Sequence, residues 1–185
     1  MSVRLSVGAT RALPALVLRP WDVEDAGALV AAHRDSDLRR WLTTQLSGEV
    51  DARRWIDGQR QGWADGSRFG FAVLEDRGEG LGAAVGHVSV TLREEGSAEV
   101  GYWAAAEVRG RGLASRALEA AVEWIFAEEL PVPVVRLDLF HAVGNEASCR
   151  VAERCGFGFE AVLPAQPPTF PTEGHLHVRR KPARF

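Results

Sequence analysis

Val108-Arg-Gly-Arg-Gly-Leu-Ala-Ser115 joins a predicted strand to the strongest predicted helix of the chain, which is amphipathic. Free backbone N–H groups and the positive end of the helix dipole converge where a helix begins, so this position favours an anion. Gly110 and Gly112 lack Cβ atoms, which lets the backbone approach a phosphate closely, and Arg109 and Arg111 add mobile positive charge. The segment therefore predicts a binding site for a pyrophosphate.

Two common phosphate-binding motifs do not fit this segment. A P-loop would end in Gly-Lys followed by Ser or Thr, and the segment lacks that ending. A dinucleotide-binding fingerprint would have a third glycine where this chain has Ser115, and residues 104–108 separate the strand from the loop. A glycine-containing turn that only starts a helix is the plainer alternative. The surrounding strands and helices favour the binding site.

The order of predicted strands and helices indicates one mixed domain. Period-two patterns predict strands, and patterns of about 3.6 residues predict helices. The predicted strands cover 15–19, 134–140, 157–163 and 175–179, and three more strands lie within 68–103. One predicted helix begins at Asp22, and three others cover 49–64, 112–128 and 146–155. We therefore expect an α/β (α+β) domain over residues 15–185, behind a loose leader of residues 1–14. The early strands should be antiparallel, with a parallel crossover across the helix that starts at Gly112.

Composition and charge narrow the range of functions. The 185 residues are 46% hydrophobic and carry a formal net charge of −3, which favours small-molecule chemistry. No dense Lys/Arg stripe interleaves with aromatic residues, so we expect no nucleic-acid partner. No long apolar run predicts a signal peptide or membrane span, and Cys149 and Cys155 point from different faces of one predicted helix, which argues against a disulfide between them. We expect a cytoplasmic protein without a membrane partner.

Three sequence blocks resemble the GNAT superfamily of N-acetyltransferases. Arg109-x-x-Gly112-x-Ala114 is similar to that superfamily's acyl-CoA signature. Asn145-Glu-Ala-Ser148, followed by ERCGFGFE, is similar to its second block. The N-terminal LRPWDVEDA resembles the branch that includes the RimJ/RimL-type ribosomal-protein N-terminal acetyltransferases. The resemblance extends over nearly the whole chain, from residue 18 to about residue 178.

The resemblance implies a single-domain fold with a mixed, mostly antiparallel seven-stranded sheet and flanking helices. The sheet would be splayed open between its fourth and fifth strands, here 99–103 and 134–140, with the pantetheine of acetyl-CoA lying in the gap. The implied cofactor-binding residues are Trp103, Ala104, Val108, Arg109, Gly110, Arg111, Gly112, Leu113, Ala114, Ser115 and Asn145. Trp103 and Ala104 would bind through their backbone.

The resemblance also implies an acyl-CoA-dependent N-acetyltransferase that transfers acetyl to a primary amine by direct attack in a ternary complex. The acceptor would be the α-amine of a protein N-terminus or a small-molecule amine. Two alternatives stay open. The acyl group could be larger, such as succinyl, because nothing in the loop recognises the acyl end, or the protein could bind acyl-CoA without turnover as a sensor or interaction module. Whether the chain forms a homodimer is also open.

The catalytic candidates follow from the attack of an amine on a thioester. The amine must be neutral, and a lysine amine with a pKa of about 10.4 needs a general base more than an α-amine with a pKa of about 7.7–8.0. Glu99 on the strand beside the thioester is the first candidate, and His141 after the next strand is the second; a structural role is open for each. Ser148 or Tyr102 could protonate the leaving thiolate, although Ser148 could instead hydrogen-bond at its helix N-terminus.

His175-x-His177 places two imidazoles on one face of a predicted strand. Zinc sites use three or four protein ligands, and the sequence places no third ligand nearby. We therefore expect no metal, and we assign the two histidines to a wall of the acceptor cleft.

Overall fold

The middle of the chain forms the antiparallel meander that its alternating apolar residues predict. The computed structural model describes residues 3–78 and 80–183. Within these residues the sheet has eight strands: β1 (Leu5–Val7), β2 (Ala15–Pro20), β3 (Arg68–Asp76), β4 (Leu81–Leu92), β5 (Ser97–Ala104), β6 (Arg136–Ala142), β7 (Gly158–Leu163) and β8 (Gly174–Arg180). They lie in the order β1-β2-β3-β4-β5-β6-β8-β7. Neighbouring strands are antiparallel except β5 and β6, which are parallel.

The helices that flank the sheet start and stop at residues suited to those positions. Those in the described ranges are α1 (Ala26–Ala32), α2 (Ser36–Trp41), α3 (Glu49–Asp65), α4 (Leu113–Ala127) and α5 (Glu146–Arg154). Asp22 and Asp25 form a reciprocal capping box before α1. Gly66 ends α3 in the left-handed conformation, with a φ of 71°. No helix in the described ranges has the length and apolar composition that a membrane crossing requires.

Side chains alternate between the two faces of the sheet, and the faces carry different helices. A Cβ added at Gly86 of β4 would point at Leu113 of α4, whereas the next residue, His87, contacts Trp55 of α3. We call these the α4 face and the α3 face. Trp103 pairs with His87 across β4 and β5, so its side chain also lies on the α3 face.

The parallel pair in the sheet opens after four residue pairs. The last pair joins Val100 of β5 to Leu139 of β6. Beyond it, β5 continues over 101–104 and β6 over 140–142 without pairing with each other. The predicted splay is therefore confirmed, and it leaves a gap that opens toward the loop before α4.

The structure differs from the sequence prediction in three elements. The strand β1 lies within the predicted loose leader and pairs with β2, so the sheet has eight strands instead of seven and the gap separates its fifth and sixth strands. The six-residue α2 was not predicted because it is too short to show an apolar period. The strand β6 begins at Arg136, two residues later than predicted. The prediction included Val134 because this residue is apolar, and Val134 is indeed buried, but it precedes the strand.

Candidate active site

The loop before α4 has the geometry of an anion cradle. Gly110 and Gly112 have left-handed backbone conformations, with φ values of 71° and 76°, which residues other than glycine rarely adopt. The first regular hydrogen bond of α4 runs from the Arg116 N–H to the Gly112 carbonyl. Within the described residues, the N–H groups of 110–115 make no well-formed hydrogen bond to a backbone carbonyl. These six donors are therefore available to a ligand.

The two arginines of the loop are held by carboxylates, which corrects the prediction that they supply mobile charge. Arg109 donates from Nε to the Ala104 carbonyl at 3.1 Å and pairs with Asp35 at the start of α2. Burial acts to raise the pKa of Asp35, but hydrogen bonds from Arg109 and from backbone N–H groups lower it overall. Arg111 contacts the buried carboxylate of Glu75 at 2.9 Å. The anion site therefore depends first on backbone N–H groups.

Hydroxyl groups lie on the α4 face beside the gap. Asn145 caps α5, because its Oδ1 accepts a hydrogen bond from the Ser148 N–H at 3.2 Å. Ser148 is thus not the capping residue. Burial raises the pKa of Tyr102 to about 12, and the neighbouring Ser148 hydroxyl opposes this shift. The Tyr102 hydroxyl is buried without a well-formed hydrogen bond in the described residues.

The predicted cofactor-binding residues follow a continuous path. Trp103 and Ala104 end β5 at the mouth of the gap. Val108 and Leu113 are buried and anchor the loop, and Ala114 and Ser115 form the first turn of α4. Asn145 lies at the start of α5, across the gap from β5.

A cleft of about 470 Å³ runs between the start of α4 and the end of α5. It is lined by Ser115, Arg116, Glu119, Arg154, Cys155, Gly156 and Arg179. A wider depression of about 670 Å³ lies beside β2 and α3 and shares no residue with the loop. The cleft shares Ser115 with the anion cradle, but none of its lining residues belongs to the unpaired ends of β5 and β6.

A cluster of mostly buried aromatic rings packs on the α3 face, next to the end of β5. The rings of Trp21, Trp55, His87 and Trp103 contact one another, with centroids 5.1–6.1 Å apart. Trp21 donates from Nε1 to His87 Nδ1 at 2.9 Å. Burial lowers the pKa of His87 to about 3, which the nearby Phe71 carbonyl only partly offsets. The ring is therefore neutral near neutral pH. From the sequence, Trp103 was named only for its backbone, and no local pattern pointed to Trp21. The pairing of β4 with β5 was the signal that could have placed His87 beside Trp103.

The predicted catalytic residues lie on opposite faces of the sheet. Glu99 is on the α3 face, within the paired part of β5, and forms an ion pair with Arg93 at 2.5 Å. His141 is on the α4 face, where its Nε2 lies 3.5 Å from Cys149 Sγ and burial lowers its pKa. Ser148, on α5, shares that face. The structure thus groups His141 with Ser148 and separates both from Glu99.

Comparison with known proteins gives a family match over most of the chain. The family described as "Acetyltransferase (GNAT) domain" matches residues 15–158. A curated protein of Bacillus subtilis (strain 168), "Putative ribosomal N-acetyltransferase YdaF", is 40% identical over 60 residues, which are 32% of this chain and 31% of that protein. The aligned part thus spans about a third of this curated relative.

Two solved structures share the fold. Mycobacterium smegmatis RimJ in complex with CoA-disulfide is 21% identical with a TM-score of 0.78, over 97% of this chain and 86% of that chain. An acetyltransferase of Salmonella typhimurium that modifies the N-terminal serine of a 50S ribosomal subunit protein is 19% identical with a TM-score of 0.77, over 96% and 99% of the two chains. At these identities the likeness concerns the fold alone. Because the family match covers more than half of the sequence, this protein belongs to the GNAT family of acetyltransferases.

Proposed function

We propose that this protein transfers an acetyl group from acetyl-CoA to the α-amine of a protein N-terminus. One observation carries the proposal: the N–H groups of residues 110–115, which bond to no backbone carbonyl in the described part of the chain, follow the end of β5 where it has left β6. Acetyl-CoA combines a pyrophosphate with an extended pantetheine arm, which suits an anion cradle next to a gap. The family of the chain and the CoA in the RimJ complex support this donor.

In this proposal three parts of the chain hold the donor. The N–H groups of 110–115 hold the pyrophosphate, with Arg109 and Arg111 nearby. The backbone of Trp103 and Ala104 pairs with the pantetheine, as a neighbouring strand would. Asn145 contacts the same arm from the start of α5.

The thioester supplies an activated acetyl group, and a backbone N–H near Ala104 stabilises the negative charge that develops on its oxygen. The leaving thiol has a pKa near the cysteine value of about 8.5, so its thiolate needs little help to depart. In this proposal Ser148 or Tyr102, on the α4 face, donates a proton to the thiolate. Both cysteines are free thiols, which fits the cytoplasmic location that we also propose.

An α-amine suits the proposed site better than a lysine amine. With a pKa of about 7.7–8.0, an α-amine is partly neutral near neutral pH, whereas a lysine amine is almost fully protonated. Glu99 is held by Arg93, and His141 is held beside Cys149, so each candidate base already has a partner. We favour Glu99, on the α3 face, to attract the ammonium form and accept its proton through water.

The names of similar proteins support the same class of acceptor. The Salmonella typhimurium enzyme modifies an N-terminal serine, and the name of the Bacillus subtilis relative refers to ribosomal N-acetylation. We therefore propose the N-terminus of a ribosomal protein as the first acceptor to test.

A thiol-release assay with acetyl-CoA tests the proposal. The acceptors are ribosomal-protein N-terminal peptides without lysine, the same peptides blocked at the α-amine but carrying one lysine, and small amines. We expect rapid thiol release with the first group only, and mass spectrometry should place one acetyl group on the peptide N-terminus. Faster release from succinyl-CoA would contradict the acetyl donor. Acetyl-CoA binding without release from any acceptor would contradict the enzymatic function.

A further inference from the structure

Four side chains with metal-binding atoms converge where β6, β8 and α5 meet. They are His141, Cys149, His175 and His177, which we call the His-Cys cluster. His141 and His175 lie directly opposite each other on paired strands, and His177 follows on the same face of β8. Cys149 reaches the cluster from α5. Chain segments that are distant in sequence thus supply one ligand set.

The distances within the His-Cys cluster suit a small tetrahedral ion. Cys149 Sγ lies 3.5 Å from His141 Nε2 and 3.4 Å from His175 Nδ1. Zinc bonds of about 2.3 Å to sulfur and about 2.0–2.1 Å to nitrogen place such atoms about 3.5 Å apart around a tetrahedral ion. One ligand atom from each of the four residues lies within 4.8 Å of the others. Small side-chain rotations would therefore complete the coordination.

His177 gives an independent indication of a ligand. Its exposed fraction is 2%, and neither ring nitrogen makes a well-formed hydrogen bond in the described residues. A buried polar group without a partner is costly and therefore uncommon in native proteins. An ion bound to one ring nitrogen would remove this cost.

A further feature is the orientation of the His141 ring. Its Nδ1 lies 3.0 Å from the Ala142 carbonyl, while its Nε2 points at Cys149. Metal-bound histidines commonly donate their second N–H to a carbonyl, which leaves the other nitrogen free for the ion. The His141 ring is arranged in this way.

We propose that the His-Cys cluster binds one transition-metal ion of the zinc type through three imidazoles and one thiolate. Imidazole and thiolate ligands select zinc-type ions over magnesium and calcium. Because the protein supplies all four ligands, the site is of the closed, structural kind. The expectation of no metal rested on the lack of a third ligand, and that premise is wrong because the fold brings His141 and Cys149 to the histidine pair.

The ion would join α5 to the strands that form one side of the gap. Cys149 directly follows Ser148 in α5, and His141 lies on the part of β6 that has left the parallel ladder. A bound ion would fix the start of α5, including Asn145, relative to the gap. As a ligand, His141 would be unavailable as a general base, which leaves Glu99. Metal binding can be measured without acyl-CoA, so this inference does not depend on the proposed acetyl transfer.

Titration of the metal-free, untagged full-length chain with Co²⁺ tests the proposal. We expect one equivalent to bind, with the intense visible bands of tetrahedral Co²⁺ and a thiolate-to-cobalt charge-transfer band, and Zn²⁺ should displace it. Cys149→Ser should lose the charge-transfer band and bind Co²⁺ at least about 100-fold more weakly. Cys155→Ser is the matched control, because this second thiol donates to the Ser115 carbonyl outside the cluster. It should bind like the unmodified chain.

Thermal unfolding provides a second measurement. Zn²⁺ should raise the Tm of the unmodified chain and of Cys155→Ser by similar amounts, and it should raise the Tm of Cys149→Ser by clearly less. If Cys149→Ser does not fold, His175→Asn takes its place, with weakened Co²⁺ binding expected. Less than one equivalent bound to the unmodified chain, or equal Co²⁺ affinity in the cluster variant and the unmodified chain, would overturn the proposal.

Discussion

Val100 of β5 and Leu139 of β6 form the last pair of the parallel ladder, and both side chains are buried. The ladder therefore ends on packed core residues, and the strands separate from a fixed point. The gap beyond this pair is therefore a feature of the folded chain.

Replacing Gly112 by valine should strongly weaken CoA binding. An added Cβ meets no atom of residues 3–78 and 80–183 within 4 Å, so the side chain would extend into the open space beside the cradle N–H groups, where we place the pyrophosphate. We expect the affinity for CoA, measured by calorimetric titration, to fall about 100-fold, which corresponds to roughly 2.7 kcal/mol.

The matched control for this loop variant is Gly66→Val. Gly66 ends α3 with a φ of 71°, and an added Cβ there also has no atom of the described residues within 4 Å. Both variants should lose stability to urea by a similar amount, about 1–3 kcal/mol, because both force valine into a left-handed conformation. Only Gly112→Val should lose CoA affinity. An equal loss of affinity in both variants would mean that backbone strain, and not the cradle, causes the effect.

Replacing Glu99 by glutamine should affect the two kinds of amine unequally. We expect kcat/KM to fall less than about tenfold for an α-amine peptide and about 100-fold for a lysine peptide, because the lysine amine depends more on a base. Thiol release measures both rates. Arg93→Gln is the control, since it breaks the same 2.5 Å ion pair but keeps the carboxylate. Activity on the α-amine should persist in this control, and equal losses in the two variants would assign the effect to the ion pair.

Tyr102→Phe should lower activity without lowering stability. Among the residues that the structure describes, the buried hydroxyl makes no well-formed hydrogen bond, so its removal should leave the free energy of unfolding unchanged or slightly higher. If the hydroxyl protonates the leaving thiolate, kcat should fall about tenfold, less than usual for a general acid because a thiolate leaves readily. Urea unfolding and steady-state kinetics measure the two quantities. An unchanged kcat together with a loss of stability would identify Tyr102 as a packing residue only.

Acid should destabilise the fold through His87. Its pKa of about 3 in the folded chain lies below the ordinary value of 6.5, so between these values the unfolded chain binds more protons. The stabilisation is complete above about pH 6.5 and is lost as the pH falls toward 3, by about 1.4 kcal/mol per pH unit. His87→Asn keeps a hydrogen-bond acceptor for Trp21 and should reduce this slope by about that amount in urea unfolding. Equal slopes for the unmodified chain and His87→Asn would show that the fold does not lower the pKa of His87.

The fold was predictable where the pattern is local and long. The meander and α4 show clear periods of two and 3.6 residues, and their observed bounds agree with the prediction within a few residues. The strand β1 has only three residues, and its pairing with β2 is a tertiary contact that no local pattern shows. The helix α2 has only six residues, which is too short to show a local period.

The part of the candidate site that lies on one continuous segment was predictable from the sequence, whereas contacts between distant segments were not. The loop at Gly110 and Gly112 is one continuous segment whose chemistry follows from its residue types. Whether its arginines are mobile depends on carboxylates from other elements, such as Asp35. The His-Cys cluster depends likewise on α5 packing over β6 and β8, which brings Cys149 to His175.

The central claim is that the N–H groups of residues 110–115 hold the pyrophosphate of CoA. Amide hydrogen exchange with and without CoA tests this claim most directly, because it measures these N–H groups themselves. CoA should slow exchange in peptides covering 110–115 by about tenfold or more, with a second protected region at 101–104 beside the gap. Unchanged exchange at 110–115 while CoA is bound, or protection confined to the depression beside β2 and α3, would contradict it.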